Sequence, residues 1–174
     1  MSAADPPSLR KALAFYEQAV ALDPSFAQAW ARVSVGNAFL YFAGTPVLEL
    51  AERARQTAEK AVALAPGRPE GYSALGNYHR LVTAQMDVSL EHLAKSHRLA
   101  PGNAEILSGV GAAEMSLGRW DATLEHAKQA ERLDPRSVVA VRRLGLLLGQ
   151  MRRTTARRAR SSTAPSPSRP PTSM

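Results

Sequence analysis

Apolar residues recur at spacings of three and four along most of the chain, the period of a helix that buries one face. Ala12, Tyr16, Ala19 and Val20 form the first stripe, and Ser8 is placed to cap it, which predicts a helix over 9–22. A second stripe with Trp30, Val33, Phe39 and Leu40 predicts a helix over 26–42, opened by Ser25 and Gln28 at capping-box spacing. Gly44-Thr45-Pro46 then breaks the pattern. With Thr45 as cap and Pro46 at the first helical position, a third helix runs to residue 64 with Leu50, Ala54, Ala58 and Ala61 on one face. Four more follow on the same reading: 70–83, a fifth from the cap Asp87 to 99, a sixth from the cap Asn103 to 117 that Gly118 ends, and a seventh from the cap Asp121 to 133. Ser137 opens an eighth over 138–151.

One three-residue beat punctuates these helices: Leu22-Asp23-Pro24, Leu64-Ala65-Pro66, Leu99-Ala100-Pro101 and Leu133-Asp134-Pro135. The prolines stand 42, 35 and 34 residues apart, so the chain repeats a two-helix unit, and the first unit carries eight extra residues around 40–50. A period in the thirties marks a solenoid, in which each hairpin completes the core of the next. The expected fold is therefore all-α, a right-handed α-solenoid of antiparallel hairpins, with Trp30, Tyr72 and Leu107 in equivalent niches between hairpins.

The residues at the joints point further. Tyr72, Leu75, Gly76 and His79 on one helix, with Ser89, Leu93 and Pro101 on the next, resemble the tetratricopeptide repeat (TPR), with His79 where that family usually has Tyr. Trp30 and Val33 open the preceding unit, Ala54, Ala58, Ala61 and Pro66 close it, and Gly111 and Gly145 take the glycine position of the last two. Ala12, Tyr16, Ala19 and Pro24 read as a second helix lacking its first. The resemblance divides the chain into a disordered lead (1–8), a half repeat (9–24), repeats over 25–66, 67–101 and 102–135, a half repeat (136–150) and a disordered tail (151–174). It implies a non-enzymatic scaffold whose first helices line a concave groove for a peptide or a partner helix. By register that groove shows Arg32, Val35 and Phe39, then Ser73, Asn77 and Arg80, then Ser108, Ala112 and Met115, with Arg142 at the far end. The longer first unit is similar to arrays found beside the catalytic or DNA-binding modules of bacterial regulators. The family's chaperone-tail clamp is not expected, because Ala31, Val35 and Ala74 occupy its Lys and Asn positions. Both ends of the array lack a capping helix, which leaves self-association through them open.

Charge changes the picture at one end only. Nine arginines and no acid follow Pro135, so residues 1–135 hold 13 basic groups against all 15 acidic ones, a net of −2 inside a chain of +7. The last ten residues also hold four prolines. Such a segment buries too little to offset its ordering entropy. Its arginines support a second function, binding an anionic polymer such as nucleic acid or a membrane surface, without aromatic residues for base stacking. The tail also fits an out-of-frame end of a longer array. No window approaches a membrane span, the start lacks the form of a secretory signal, and cysteine is absent, which leaves a cytoplasmic protein without disulfides or thiolate chemistry as the expectation.

Little else suggests chemistry. His92 and His97 are five apart, about 140° round a helix, while two helical metal ligands want a spacing of four. His92 and His126 stand 34 apart in matching Leu-Glu-His triplets, a mark of repetition that reads as solvated helix surface. Gly71-Tyr72-Ser73-Ala74-Leu75-Gly76 and Gly109-Val110-Gly111 lack the spacing and the preceding strand of a nucleophile elbow or a dinucleotide loop, and read as tight helix packing. No metal, cofactor or catalytic residue is expected.

Overall fold

The computed structural model describes residues 6–44 and 46–136, with Gly145, Gly149 and Arg153 as isolated positions beyond. Seven helices fill the described residues, and no strand occurs among them: α1 (Pro6–Leu22), α2 (Ala27–Ala43), α3 (Leu48–Leu64), α4 (Pro69–Leu81), α5 (Met86–Leu99), α6 (Ala104–Ser116) and α7 (Trp120–Leu133). Helices α2–α3, α4–α5 and α6–α7 pair as hairpins, and α1 packs on α2. Each first helix also meets the next, α2 on α4 and α4 on α6.

The proline beat works through the residue before it. A proline denies its predecessor the helical region. Ala65, Ala100 and Asp134 accordingly adopt one conformation, with φ −144°, −145° and −140° and ψ 71°, 74° and 82°. The chain then turns by an i to i+3 bond, as in Arg68 N–H to the Ala65 carbonyl at 3.0 Å and Asn103 N–H to the Ala100 carbonyl at 3.1 Å. The extra length of the first unit goes into its helices. Its two helices have 17 residues each, against 13 and 14 in the second hairpin. Both gain about a turn at the end where they join, inside the expected 40–50 window.

Helix starts differ from expectation in several places. α1 begins at Pro6, so Ser8 lies within its first turn and residues 6–8 are helical. The capping box at Ser25 and Gln28 does not form. Asp23 Oδ1 instead accepts both the Ser25 N–H (2.9 Å) and its hydroxyl (2.6 Å), because a carboxylate two residues back outcompetes a cap. These bonds hold the Asp23 carboxyl below its usual range. Pro46 precedes α3 by two residues rather than opening it, and Thr45 lies outside the described residues. Asp87 and Asp121 sit one residue inside α5 and α7, where they face the positive helix end as first-turn acids instead of capping it. Asn103 does cap α6, accepting from the N–H groups of Glu105 and Ile106. Gly118 ends that hairpin's first helix at φ +71°.

The interior is a string of small clusters, as expected where each hairpin meets only its neighbours. Ala31, Ala58, Ala61 and Ala74 form one beneath Trp30, and Ala38, Ala54 and Leu81 form the next. Leu93, Val110 and Ala113, then Leu107 and Ala130, continue it. Trp30, Tyr72 and Leu107 each stand six residues after a beat proline, in equivalent places. Trp30 Nε1–H donates to the Pro24 carbonyl at 2.9 Å, Tyr72 O–H donates to that of Pro66 at 3.1 Å, and Leu107 is fully buried. Lys60 and Lys95 cover the two rings at 3.8 and 4.1 Å.

The seam inside each hairpin is equally regular. It lies 12, 8 and 5 residues before the closing proline: Ala54, Ala58 and Ala61 in α3, Ser89, Leu93 and Ser96 in α5, Thr123, Ala127 and Ala130 in α7. None of these nine is more than 5% exposed. Small residues there let the helices approach closely. Gly76 serves that approach, since a Cβ on it would lie 2.5 Å from Leu93 Cγ, and Gly71 serves the contact between hairpins, where a Cβ would lie 2.8 Å from the Val62 backbone nitrogen of α3.

Candidate functional site

A recess opens where the three first helices come together. Ala31, Arg32 and Val35 of α2, Pro69, Glu70 and Ser73 around the start of α4, and Asn103, Glu105 and Ile106 around the start of α6 line it. Ala31, Val35, Pro69 and Ile106 contribute its apolar lining, and Arg32, Glu70 and Glu105 its charged groups. Arg32 spans it, donating to both Glu105 carboxylate oxygens at 2.8 and 3.1 Å and so bridging α2 to α6 over α4. That hydrogen bond raises the Arg32 pKa against the opposing effect of burial, so its charge is permanent. Glu70 is pulled two ways: burial raises its pKa, but Arg68 beside it, with help from Arg32, leaves it below the usual carboxylate value. The recess holds only about 40 Å³, room for a few waters. Pockets that enclose small molecules run to roughly 300–1,000 Å³. Arg32 pairs with Glu105 within the lining, and Glu70 pairs with Arg68 beside it.

Of the ten groove positions expected from register, the structure brings Arg32, Val35 and Ser73 into this recess. Asn77 and Arg80 continue from it along α4 in a linked row: Asn77 Nδ2 donates to the Ser73 carbonyl at 3.0 Å, and Arg80 donates to Asn77 Oδ1 at 2.8 Å. Phe39 is half-buried and packs beside Ala38, Ala54 and Leu81. Ser108 and Ala112 are buried at 8% and 4% exposure, because α6 is covered along its whole middle from Ile106 to Glu114, while Met115 is half-buried. Arg142 lies outside the described residues, as does the arginine-rich tail apart from Arg153. Sequence reasoning missed Glu70 and Glu105. Both stand four residues after a beat proline, so the repeat register itself marks them as matching first-turn acids.

The histidines are not the solvated surface that the triplets suggested. His92 stacks on His79 with ring centres 5.4 Å apart and planes 4° from parallel, and burial followed by repulsion from His79 depresses its pKa. His126 Nδ1 lies 2.7 Å from Glu114 Oε2, a carboxylate only 8% exposed. Each pair joins the two helices of one hairpin through half-buried imidazoles. Among the described residues no group of three His, Cys, Asp or Glu is placed to hold a metal ion, and no helix is long and apolar enough to cross a membrane.

No protein-family model and no curated protein matches this chain. Solved structures do. TTC0263, a thermophilic TPR protein from Thermus thermophilus, superposes with a TM-score of 0.67 at 20% identity, over 82% of this chain and 74% of that one. MamA gives 0.56 at 18% identity, over 87% and 85%. YrrB, a TPR protein with an unusual peptide-binding site, gives 0.52 at 23% identity, over 84% and 71%. The architecture is thus the TPR solenoid, as the joint residues implied.

Proposed function

We propose that this chain, a solenoid of the TPR type, is a non-enzymatic protein-interaction scaffold that takes an extended peptide or a partner helix along the face of α2, α4 and α6. The observation that carries the reading is the recess in which Arg32, Val35 and Ser73 meet from separate hairpins, continued by the Asn77–Arg80 row. This row offers amide and guanidinium groups to a peptide backbone or carboxylate, beside an apolar lining. A volume this small suits one side chain of a ligand lying across the surface, not a ligand held inside. The peptide-binding site named for YrrB, a protein of the same fold, agrees with this use.

Glu105 occupies Arg32 in the free chain, and its side chain is 61% exposed. An exposed ion pair contributes about 0.2–1 kcal/mol, so an incoming carboxylate can displace Glu105 at little cost. The direct test is selection from a random displayed-peptide library on the full chain, followed by affinity measurement on Arg32→Ala and Asn77→Ala. We expect enriched peptides to lose at least about tenfold in affinity, about 1.4 kcal/mol, on each variant, with thermal melting unchanged. Peptides with a carboxylate opposite Arg32 should bind Glu105→Gln more tightly than wild type. Failure of any peptide to enrich, or equal binding to all variants, would contradict the proposal.

A further inference from the structure

The two joints between hairpins are built differently. Where the first hairpin meets the second, the buried clusters draw on three helices: Ala31 of α2, Ala58 and Ala61 of α3 and Ala74 of α4 in one, Ala38, Ala54 and Leu81 in the other. Where the second meets the third, the buried cluster is Leu93 of α5 with Val110 and Ala113 of α6, and no residue of α4 joins it. α6 therefore rests on α5, and its contact with α4 is slighter than that of α4 with α2.

Across that slight contact runs a long strap. Arg32 of α2 reaches past α4 to both carboxylate oxygens of Glu105, in the first turn of α6, and so ties the first hairpin to the third. α2 and α6 have no packed face of their own. A planar guanidinium held by two oxygens fixes orientation as well as distance. A second charged link to the third hairpin, Asp87 with Arg119 at 3.4 Å, joins α5 to the start of α7. That pair belongs with the packed α5–α6 contact, and Arg32–Glu105 holds the side of the first helices.

We propose that the third hairpin pivots on the α5–α6 contact, and that the Arg32–Glu105 pair is the strap that holds it closed against α2 and α4. With Glu105 released, α6 swings away from α4 at its N-terminal end and widens the recess between them, which holds only about 40 Å³ in the strapped state. The first and second hairpins move as one body, because their joint is packed through α2, α3 and α4. The strap is exposed, so the two settings are close in free energy, and salt or a competing charge shifts the balance. The pivot is a property of the free chain and stands or falls apart from peptide binding.

Distances between spin labels on the full chain, without ligand, test this. The chain has no cysteine, so Gln28→Cys, Gly67→Cys and Gly102→Cys, taken two at a time, give unique label pairs near the N-terminal ends of α2, α4 and α6. All three positions are exposed, and a Cβ on Gly67 or Gly102 meets nothing within 4 Å. The two pairs that include Gly102 should show a shorter and a longer separation, and the Gln28–Gly67 pair a single one. Glu105→Gln should raise the ratio of longer to shorter about fivefold in both Gly102 pairs and leave the third pair unchanged. Raising salt from about 0.05 M to about 1 M should act in the same direction while Glu105 is present, and should add little in Glu105→Gln. The salt series needs no change to the strap, so it decides the matter even if the variant folds poorly. Separations that ignore both the variant and salt would overturn the proposal. So would a Gln28–Gly67 pair that lengthens as much as the other two, because the array would then flex evenly, with no pivot at α5–α6.

Discussion

The hairpins α4–α5 and α6–α7 share a backbone plan and fill it with different chemistry. Thirteen residues after the opening proline and nine before the closing one, the first holds the His79–His92 stack and the second the Glu114–His126 contact. Six residues from each proline, Tyr72 under Lys95 is answered by Leu107 and Gln129. At the glycine position, Gly76 faces Leu93 and Gly111 faces Thr123. At the turn, Ala84 takes φ +56° where Gly118, 34 residues later, takes φ +71°. Facing positions change together. A solenoid joint therefore constrains the sum of two side chains and the backbone path between them, and leaves each residue free to vary with its partner.

The sharpest way to break this comparison is to put the same methyl group into both glycine positions. In Gly76→Ala the new Cβ would fall 2.5 Å from Leu93 Cγ and 3.2 Å from the Ser89 carbonyl oxygen, with Leu93 fully buried. Overpacking of this kind costs about 1–3 kcal/mol. In Gly111→Ala the nearest atom is at 3.6 Å, an ordinary contact. Helix propensity then favours alanine by up to about 1 kcal/mol. Urea unfolding of the two variants should shift in opposite directions, and equal losses would mean that the two joints are packed alike.

The turns offer a reciprocal pair of smaller effect. The left-handed conformation costs a non-glycine residue about 1–2 kcal/mol. Ala84→Gly relieves that strain, less roughly 0.5–1 kcal/mol for the added freedom of glycine in the unfolded chain. We expect Ala84→Gly to stabilise by about 0.5–1 kcal/mol and Gly118→Ala to destabilise by about 1 kcal/mol, read from the same urea curves. Opposite signs at two equivalent positions would show that the turn demands a conformation, whichever residue supplies it.

Smallest is the effect of pH on the histidine stack. Burial holds the His92 pKa below 6.5, so the folded chain binds this proton more weakly than the unfolded one. The resulting stability is complete above the ordinary histidine pKa and is lost as pH falls through it. Between about pH 7 and pH 5 the melting temperature should drop, and His92→Gln should lessen the drop. An unchanged pH profile in the variant would remove His92 from the account.

The parts of this structure that were legible in sequence rest on short-range rules. The proline beat could be read because proline constrains the residue before it whatever the surroundings, and Ala65, Ala100 and Asp134 share one backbone shape as a result. Asn103 could be read as a cap because its side chain reaches only nearby N–H groups. Asp87 and Asp121 stand two residues after the true cap positions, Gln85 and Arg119, because an acid favours the first turn as well as the cap. The site was harder to see. Arg32 and Glu105 are 73 residues apart, and their contact depends on rotation accumulated over two hairpins, which no local spacing encodes. The same curvature brings three first helices round one recess, and register alone placed the buried Ser108 and Ala112 beside the half-buried Arg32 and Val35.

Native-state hydrogen exchange on the chain, diluted until its sedimentation no longer changes, measures the joints most directly. If each second helix is held mainly by the first helix across its seam, amides in the middle of α1 should exchange at least about tenfold faster than those of α3 and α5, a difference of about 1.4 kcal/mol in opening free energy. Protection of α1 equal to that of α3 and α5 would contradict the account, because the exposure of Phe15 and Tyr16 would then cost α1 nothing.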